Sequence, residues 1–87
     1  MDKYKILVVD DDKEIRNAVI NLLSENYIVI GAASAHDALS ILDETYSLVI
    51  LDIMMPEKDG VSTCIDIRKK YFMPILFLTA KNTENDK

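Results

Sequence analysis

At 87 residues the chain has room for one small domain, and its 49% hydrophobic and 29% charged content is that of a folded chain, not a disordered one. A formal net charge of −5 argues against nucleic-acid binding, which needs a basic face. One cysteine, Cys64, makes no internal disulfide, no run approaches the ~18 apolar residues of a membrane span, and Met1-Asp2-Lys3-Tyr4-Lys5 is no signal peptide; the expected setting is the cytoplasm, with no membrane partner.

Lys5–Val9 predicts a first strand, apolar throughout and followed by Asp10-Asp11-Asp12. A helix is expected over Lys13–Glu25, with Ile15, Ala18, Val19, Leu22 and Leu23 as its apolar stripe. Tyr27–Ala32 is a β-branched and aromatic second strand. Ser34 is placed to cap a second helix, with Asp37 in its first turn and Ala35, Ala38, Leu39 and Leu42 on its buried face. Ser47–Leu51 predicts a third strand, ending at Asp52. The loop Asp52–Asp59 holds Pro56, and Asp59 can cap a third helix running to about Lys70. Val61, Cys64 and Ile67 (or Ile65) are expected to face the sheet there. Pro74 marks the entry to a fourth strand, Ile75–Leu78, ending in Thr79-Ala80, and the polar stretch from Lys81 is expected to fray.

Alternating strands and helices predict right-handed crossovers and a mostly parallel sheet. All carboxyl ends then share one edge, where such folds place their ligand crevice. Asp10 to Asp12, Asp52 and Thr79 converge on it. Like charges about 4 Å apart repel by roughly 4 kcal/mol at an effective dielectric of 20, so a chain that keeps this cluster is expected to hold a divalent cation. Mg²⁺ suits it, taking one or two carboxylates plus water and phosphate in near-octahedral geometry. Asp11 and Asp52 are the expected direct ligands, Asp10 acts through water, and the Met54 backbone carbonyl can add an oxygen. One carboxylate can then attack a phosphoryl group to make an acyl phosphate, with the Thr79 hydroxyl and the Ala80 amide hydrogen-bonding its oxygens.

Each of these residues also has an ordinary structural role. Asp10 to Asp12 can be a helix cap favoured by the dipole, Asp52 a loop carboxylate and Thr79 a strand residue. Only the convergence argues for chemistry. His36 is expected on the polar side of the second helix, exposed and neither metal ligand nor phosphate carrier. Met54-Met55 is loop packing, Arg68-Lys69-Lys70 complements a helix C-terminus, and Cys64 is a small core residue.

Ile6-Leu7-Val8-Val9-Asp10-Asp11-Asp12, then Leu51-Asp52-Ile53-Met54-Met55-Pro56-Glu57-Lys58-Asp59-Gly60, then Leu78-Thr79-Ala80-Lys81, resemble the receiver domain of bacterial response regulators. The match is closest to the OmpR/PhoB-type branch, whose receivers precede a winged-helix DNA-binding domain. The resemblance implies a flavodoxin-like, doubly wound parallel α/β sheet and a two-component phosphorelay. It makes Asp52 the phosphoacceptor for a sensor histidine kinase, and Asp10 and Asp11 the acidic pair. Met54 then gives a carbonyl to Mg²⁺, Thr79 is the switch hydroxyl, and Pro56 and Gly60 shape the loop. Lys58 departs from the pattern, standing where many relatives carry an apolar residue.

The sequence also stops before the family's fourth helix, fifth strand and fifth helix. The expectation is therefore a partial receiver over 1–87, truncated to β-α-β-α-β-α-β with strand order 2-1-3-4 and no effector domain. The family's fifth-strand lysine is missing, and Lys81 does not replace it, so phosphotransfer is expected to be impaired. Strand four becomes an apolar edge without gatekeeping charge, and self-association through that edge or by element exchange is expected. Receivers are phosphoacceptors, not enzymes in the ordinary sense. The alternative is a non-phosphorylatable fragment serving only interaction or oligomerisation. A small metal-dependent phosphohydrolase is disfavoured, because Met54 stands where such enzymes place a general acid.

Overall fold

The structure is a computed structural model and describes residues 4–78. Its elements are β1 (Lys5–Val9), α1 (Lys13–Leu23), β2 (Ile28–Ala32), α2 (Ala35–Ile41), β3 (Leu48–Asp52), α3 (Gly60–Arg68) and β4 (Ile75–Leu78). The strands form one parallel sheet in the order β2-β1-β3-β4, as expected.

Successive residues of a strand face opposite sides, and here both sides are covered. Leu7, Val9, Val49 and Leu51 are fully buried on one side, packed with Ala35, Ala38 and Leu42 of the second helical segment and Ile67 of α3. Ile6, Val8 and Ile50 point to the other side, where α1 lies across them through Val19, Ile20 and Leu23. This explains why β1 and β3 read as unbroken apolar runs, while β2 and β4, at the two ends of the sheet, keep more exposed residues.

Two helices keep part of the expected face, with Val19 and Leu23 of α1 and Cys64 and Ile67 of α3 packed on the core, and turn the rest of it away. In α1, Leu22 is 77% exposed and Ala18 also faces outward, while Ile20 takes the inward position. The cause is Arg16. Its aliphatic stem lies over Gly31 of β2, close enough that a Cβ there would sit 3.2 Å from Arg16 Cδ and 2.8 Å from Ile20 Cδ1. Its guanidinium donates to the Asp10 carbonyl at 2.8 Å. The inward face is therefore Arg16, Val19, Ile20 and Leu23. The helix also ends at Leu23, two residues early, because Asn26 and Tyr27 turn back to donate to the Leu23 carbonyl.

In α3, Val61 and Ile65 are exposed, and the buried residues are Gly60, Thr63 and Ile67. Gly60 is pressed against the end of β3, which fixes the helix phase so that positions three and seven residues later point inward. Thr63 can occupy a fully buried position because its hydroxyl donates to the Asp59 carbonyl at 2.9 Å. The caps fall where expected. Ser34 Oγ accepts from the Asp37 amide at 3.1 Å, and Asp59 Oδ1 accepts from the Ser62 amide at 2.8 Å. Those bonds from Ser62 hold the Asp59 carboxyl below its ordinary value, so the cap is intact at neutral pH and is lost only as acid protonates it.

Candidate metal centre

The register brings the acidic residues together. Val9 of β1 stands opposite Leu51 of β3, so one step further along the parallel pair Asp10 arrives beside Asp52. Asp52 in turn pairs with Leu78 of β4, and the Asp10 amide donates to the Ala32 carbonyl of β2 at 3.1 Å. The site thus sits at the carboxyl edge, where all four strands end.

Asp10, Asp11 and Asp52 each offer a carboxylate oxygen, and these three atoms lie within 4.8 Å of one another. Asp10 and Asp52 are buried, at 1% and 2% exposure, while Asp11 reaches solvent. In an octahedron with ligands at about 2.1 Å, neighbouring oxygens stand about 3.0 Å apart and opposite ones about 4.2 Å. The donor set is all oxygen and anionic, and the three atoms are close enough together to share one ion. It suits a small hard divalent cation such as Mg²⁺.

The aspartate triplet divides its work. Asp12 is the cap of α1, its Oδ1 accepting from the Glu14 and Ile15 amides at 2.9 and 3.2 Å. Asp10 and Asp11 turn instead towards Asp52. The capping role, which the sequence left open to all three residues, thus falls to Asp12. Asp10 Oδ1 accepts from the Asp12 amide at 2.9 Å, which fixes the rotation of its carboxylate. The Met54 amide does the same for Asp52, donating to Oδ1 at 3.1 Å.

Of Met54-Met55, expected as loop packing, Met55 is buried in the core while Met54 is 62% exposed. Thr79 and Ala80 lie outside the described residues. His36 is exposed, and it lines a hollow of about 510 Å³ that runs from Asp11 between the start of α2 and the β3–α3 loop, with Pro56 and Lys58 on its far wall.

One contributor was not singled out from the sequence. Arg16 holds the Asp10 carbonyl, and the one signal for it was its helical spacing with Val19 and Ile20. Gly60 closes the loop after Asp52, its amide donating to the Ile53 carbonyl at 2.8 Å. Lys58 forms an ion pair with Asp66 of α3, and that ammonium holds the Asp66 carboxyl below its ordinary value.

The response regulator receiver domain family matches residues 6–87. The chain belongs to that family. Solved structures agree with the assignment. The N-terminal domain of a response regulator receiver protein from Methanoculleus marisnigri JR1 is 38% identical, with a TM-score of 0.80 over 92% of this chain and 69% of that one. The chemotaxis protein CheY4 of Vibrio cholerae is 31% identical, with a TM-score of 0.78 over 94% of this chain and 72% of that one. The non-phosphorylated HemR receiver domain of Leptospira biflexa is 31% identical, with a TM-score of 0.84 over 93% of this chain and 68% of that one. Across eight of the matched structures this receiver spans 56% to 72% of the other chain's length. Receivers of two-component systems are phosphorylated on aspartate, bind Mg²⁺ at an acidic pocket and work with histidine kinases. Among the described residues of this receiver, no helix is long and apolar enough to cross a membrane.

Proposed function

We propose that this receiver is a phosphoacceptor in a two-component phosphorelay, with Asp52 as the residue that takes the phosphoryl group from a sensor histidine kinase. The observation that carries this is the convergence of Asp10, Asp11 and Asp52 within 4.8 Å at the carboxyl edge. Asp10, Asp11, Asp52 and the Met54 carbonyl would hold Mg²⁺. When bound, the ion offsets the charge of the carboxylates and of the incoming phosphoryl oxygens.

A carboxylate oxygen of Asp52, oriented by the Met54 amide, attacks phosphorus. The phosphorus–nitrogen bond to the kinase histidine breaks, the imidazole leaves with the bonding pair and takes up a proton, and an aspartyl phosphate remains. Thr79 is the hydroxyl we assign to the phosphoryl oxygens. The receiver accepts the group itself and turns over no separate substrate. On its motifs it is placed in the OmpR/PhoB-type branch, acting in the cytoplasm without touching nucleic acid through this segment.

Incubation with Mg²⁺ and acetyl phosphate tests the assignment, because acetate then leaves in place of the imidazole. Intact mass is expected to rise by one phosphoryl group in the unaltered chain and not in Asp52→Ala. Equal labelling of both, or of neither in a folded sample that binds Mg²⁺, would count against it.

We also infer that the segment associates with itself through β4 or by exchanging elements. Among the described residues β4 pairs only with β3, and Leu76 and Phe77 are 56% and 39% exposed. An apolar strand edge of this kind pairs readily with another chain. Light scattering across a concentration series is expected to show dimers or larger species, reduced in Leu76→Lys. A monomer persisting to high concentration contradicts this.

A further inference from the structure

We propose that Lys58 is a positioning residue for the metal centre, acting through its ion pair with Asp66. The proposal rests on Asp10, Asp11 and Asp52 being the Mg²⁺ site. The loop from Ile53 to Asp59 leaves β3 one residue after Asp52 and returns to α3. Its two ends are fastened: Gly60 donates to the Ile53 carbonyl, and Asp59 caps the helix. In the middle, Met55 is anchored in the core, while Pro56 and Glu57 are exposed. The next fixed point is Lys58, whose ammonium reaches Asp66 eight residues on.

Asp66 is a rigid post. It sits on α3 next to Ile67, which is fully buried. Lys69 also reaches Asp66, at 3.4 Å, but from the same helix and with 71% of its side chain exposed, so it ties the helix to itself and not the loop. Lys58 and Asp66 are more sheltered, at 40% and 26%.

An ion pair this exposed adds little to global stability. Its consequence is local. The loop carries the Met54 amide that orients Asp52 and the Met54 carbonyl assigned to the cation. Mg²⁺ demands near-ideal octahedral geometry, whereas Ca²⁺ accepts flexible sites with more ligands. A loop held in one place therefore favours Mg²⁺ over Ca²⁺, and a loosened loop loses Mg²⁺ first.

Calorimetric titration of Mg²⁺ and Ca²⁺ into Lys58→Met, Asp66→Asn, the double variant and Lys58→Arg decides the matter. Both single variants are expected to weaken Mg²⁺ binding about 3- to 10-fold, less than the 10- to 100-fold of groups that bond a metal ligand directly. Ca²⁺ binding should change less. The double variant should be no weaker than the worse single one, and Lys58→Arg should bind as the unaltered chain does. The alternative is a purely electrostatic Lys58, which lines the same hollow as Asp11. Removing that cation would then tighten Mg²⁺ binding in Lys58→Met and weaken it in Asp66→Asn, and this opposite pair of signs overturns the proposal. Unchanged Mg²⁺ binding in both variants overturns it too, leaving the metal centre intact. An unaltered chain that binds no Mg²⁺ overturns the metal centre and the proposal together.

Discussion

Gly60→Ala is expected to destabilise the fold by about 2 to 3 kcal/mol and to weaken the metal centre as well. A Cβ at Gly60 would stand 2.5 Å from the Asp52 carbonyl oxygen, 2.7 Å from Ile53 Cα and 3.0 Å from the Asp52 carbonyl carbon. All three are backbone atoms at the end of β3, so no side chain can swing aside. Overpacking commonly costs about 1 to 3 kcal/mol, and a rigid neighbour puts this case at the upper end. Gly60 has no positive φ, so the demand is for space and not for backbone freedom. In a domain this small each kcal/mol moves the melting point by about 4 to 8 °C, and circular dichroism should show a fall of roughly 10 °C or more. Since the first atom displaced belongs to Asp52, Mg²⁺ affinity should fall in the same variant. A melting point within a few degrees of the unaltered chain would mean that α3 does not sit against the strand end.

The second large effect is thermal stabilisation by Mg²⁺ itself. A ligand that binds only the folded state stabilises it by about 2.7 kcal/mol at 100 times its dissociation constant. With the same conversion, saturating Mg²⁺ should raise the melting point by roughly 10 to 20 °C, reversed by a chelator. Asp52→Asn keeps an oxygen for the Met54 amide but loses a charge from the cluster, and its response to Mg²⁺ should largely vanish. Asp12→Asn is the control. Asp12 neighbours the cluster in sequence but caps α1, so its response should persist. Equal responses in all three would place the cation elsewhere.

Much of this was legible in the sequence because it depends on local rules. Apolar runs bounded by Asp10 and Asp52 gave β1 and β3, and parallel pairing then required their ends to meet. Ser34 and Asp59 were readable as caps because a short polar side chain before an apolar-periodic stretch has few other uses. The phase of α1 was readable only in part. Of the expected stripe Ile15, Ala18, Val19, Leu22 and Leu23, Val19 and Leu23 do pack on the core, while Ala18 and Leu22 face outward. Arg16 and Ile20 take the inward places instead, Arg16 laying its apolar stem on Gly31 and sending its charged end to the Asp10 carbonyl. Thr63 was passed over for the same reason: a hydroxyl looks polar until its partner, the Asp59 carbonyl, is known. Lys58 was visible as an exception to the family pattern, but its meaning lay in Asp66, which only the folded loop brings near.

The central claim is that Asp52 receives the phosphoryl group, and locating the label tests it most directly. The chain would be treated with Mg²⁺ and acetyl phosphate, reduced with borohydride to convert an aspartyl phosphate to homoserine, and read by peptide mass spectrometry. Conversion at Asp52, with Asp10 and Asp11 unchanged, is the result predicted. Conversion at Asp10 or Asp11, or at no aspartate of a chain that carries the phosphoryl mass, would contradict it.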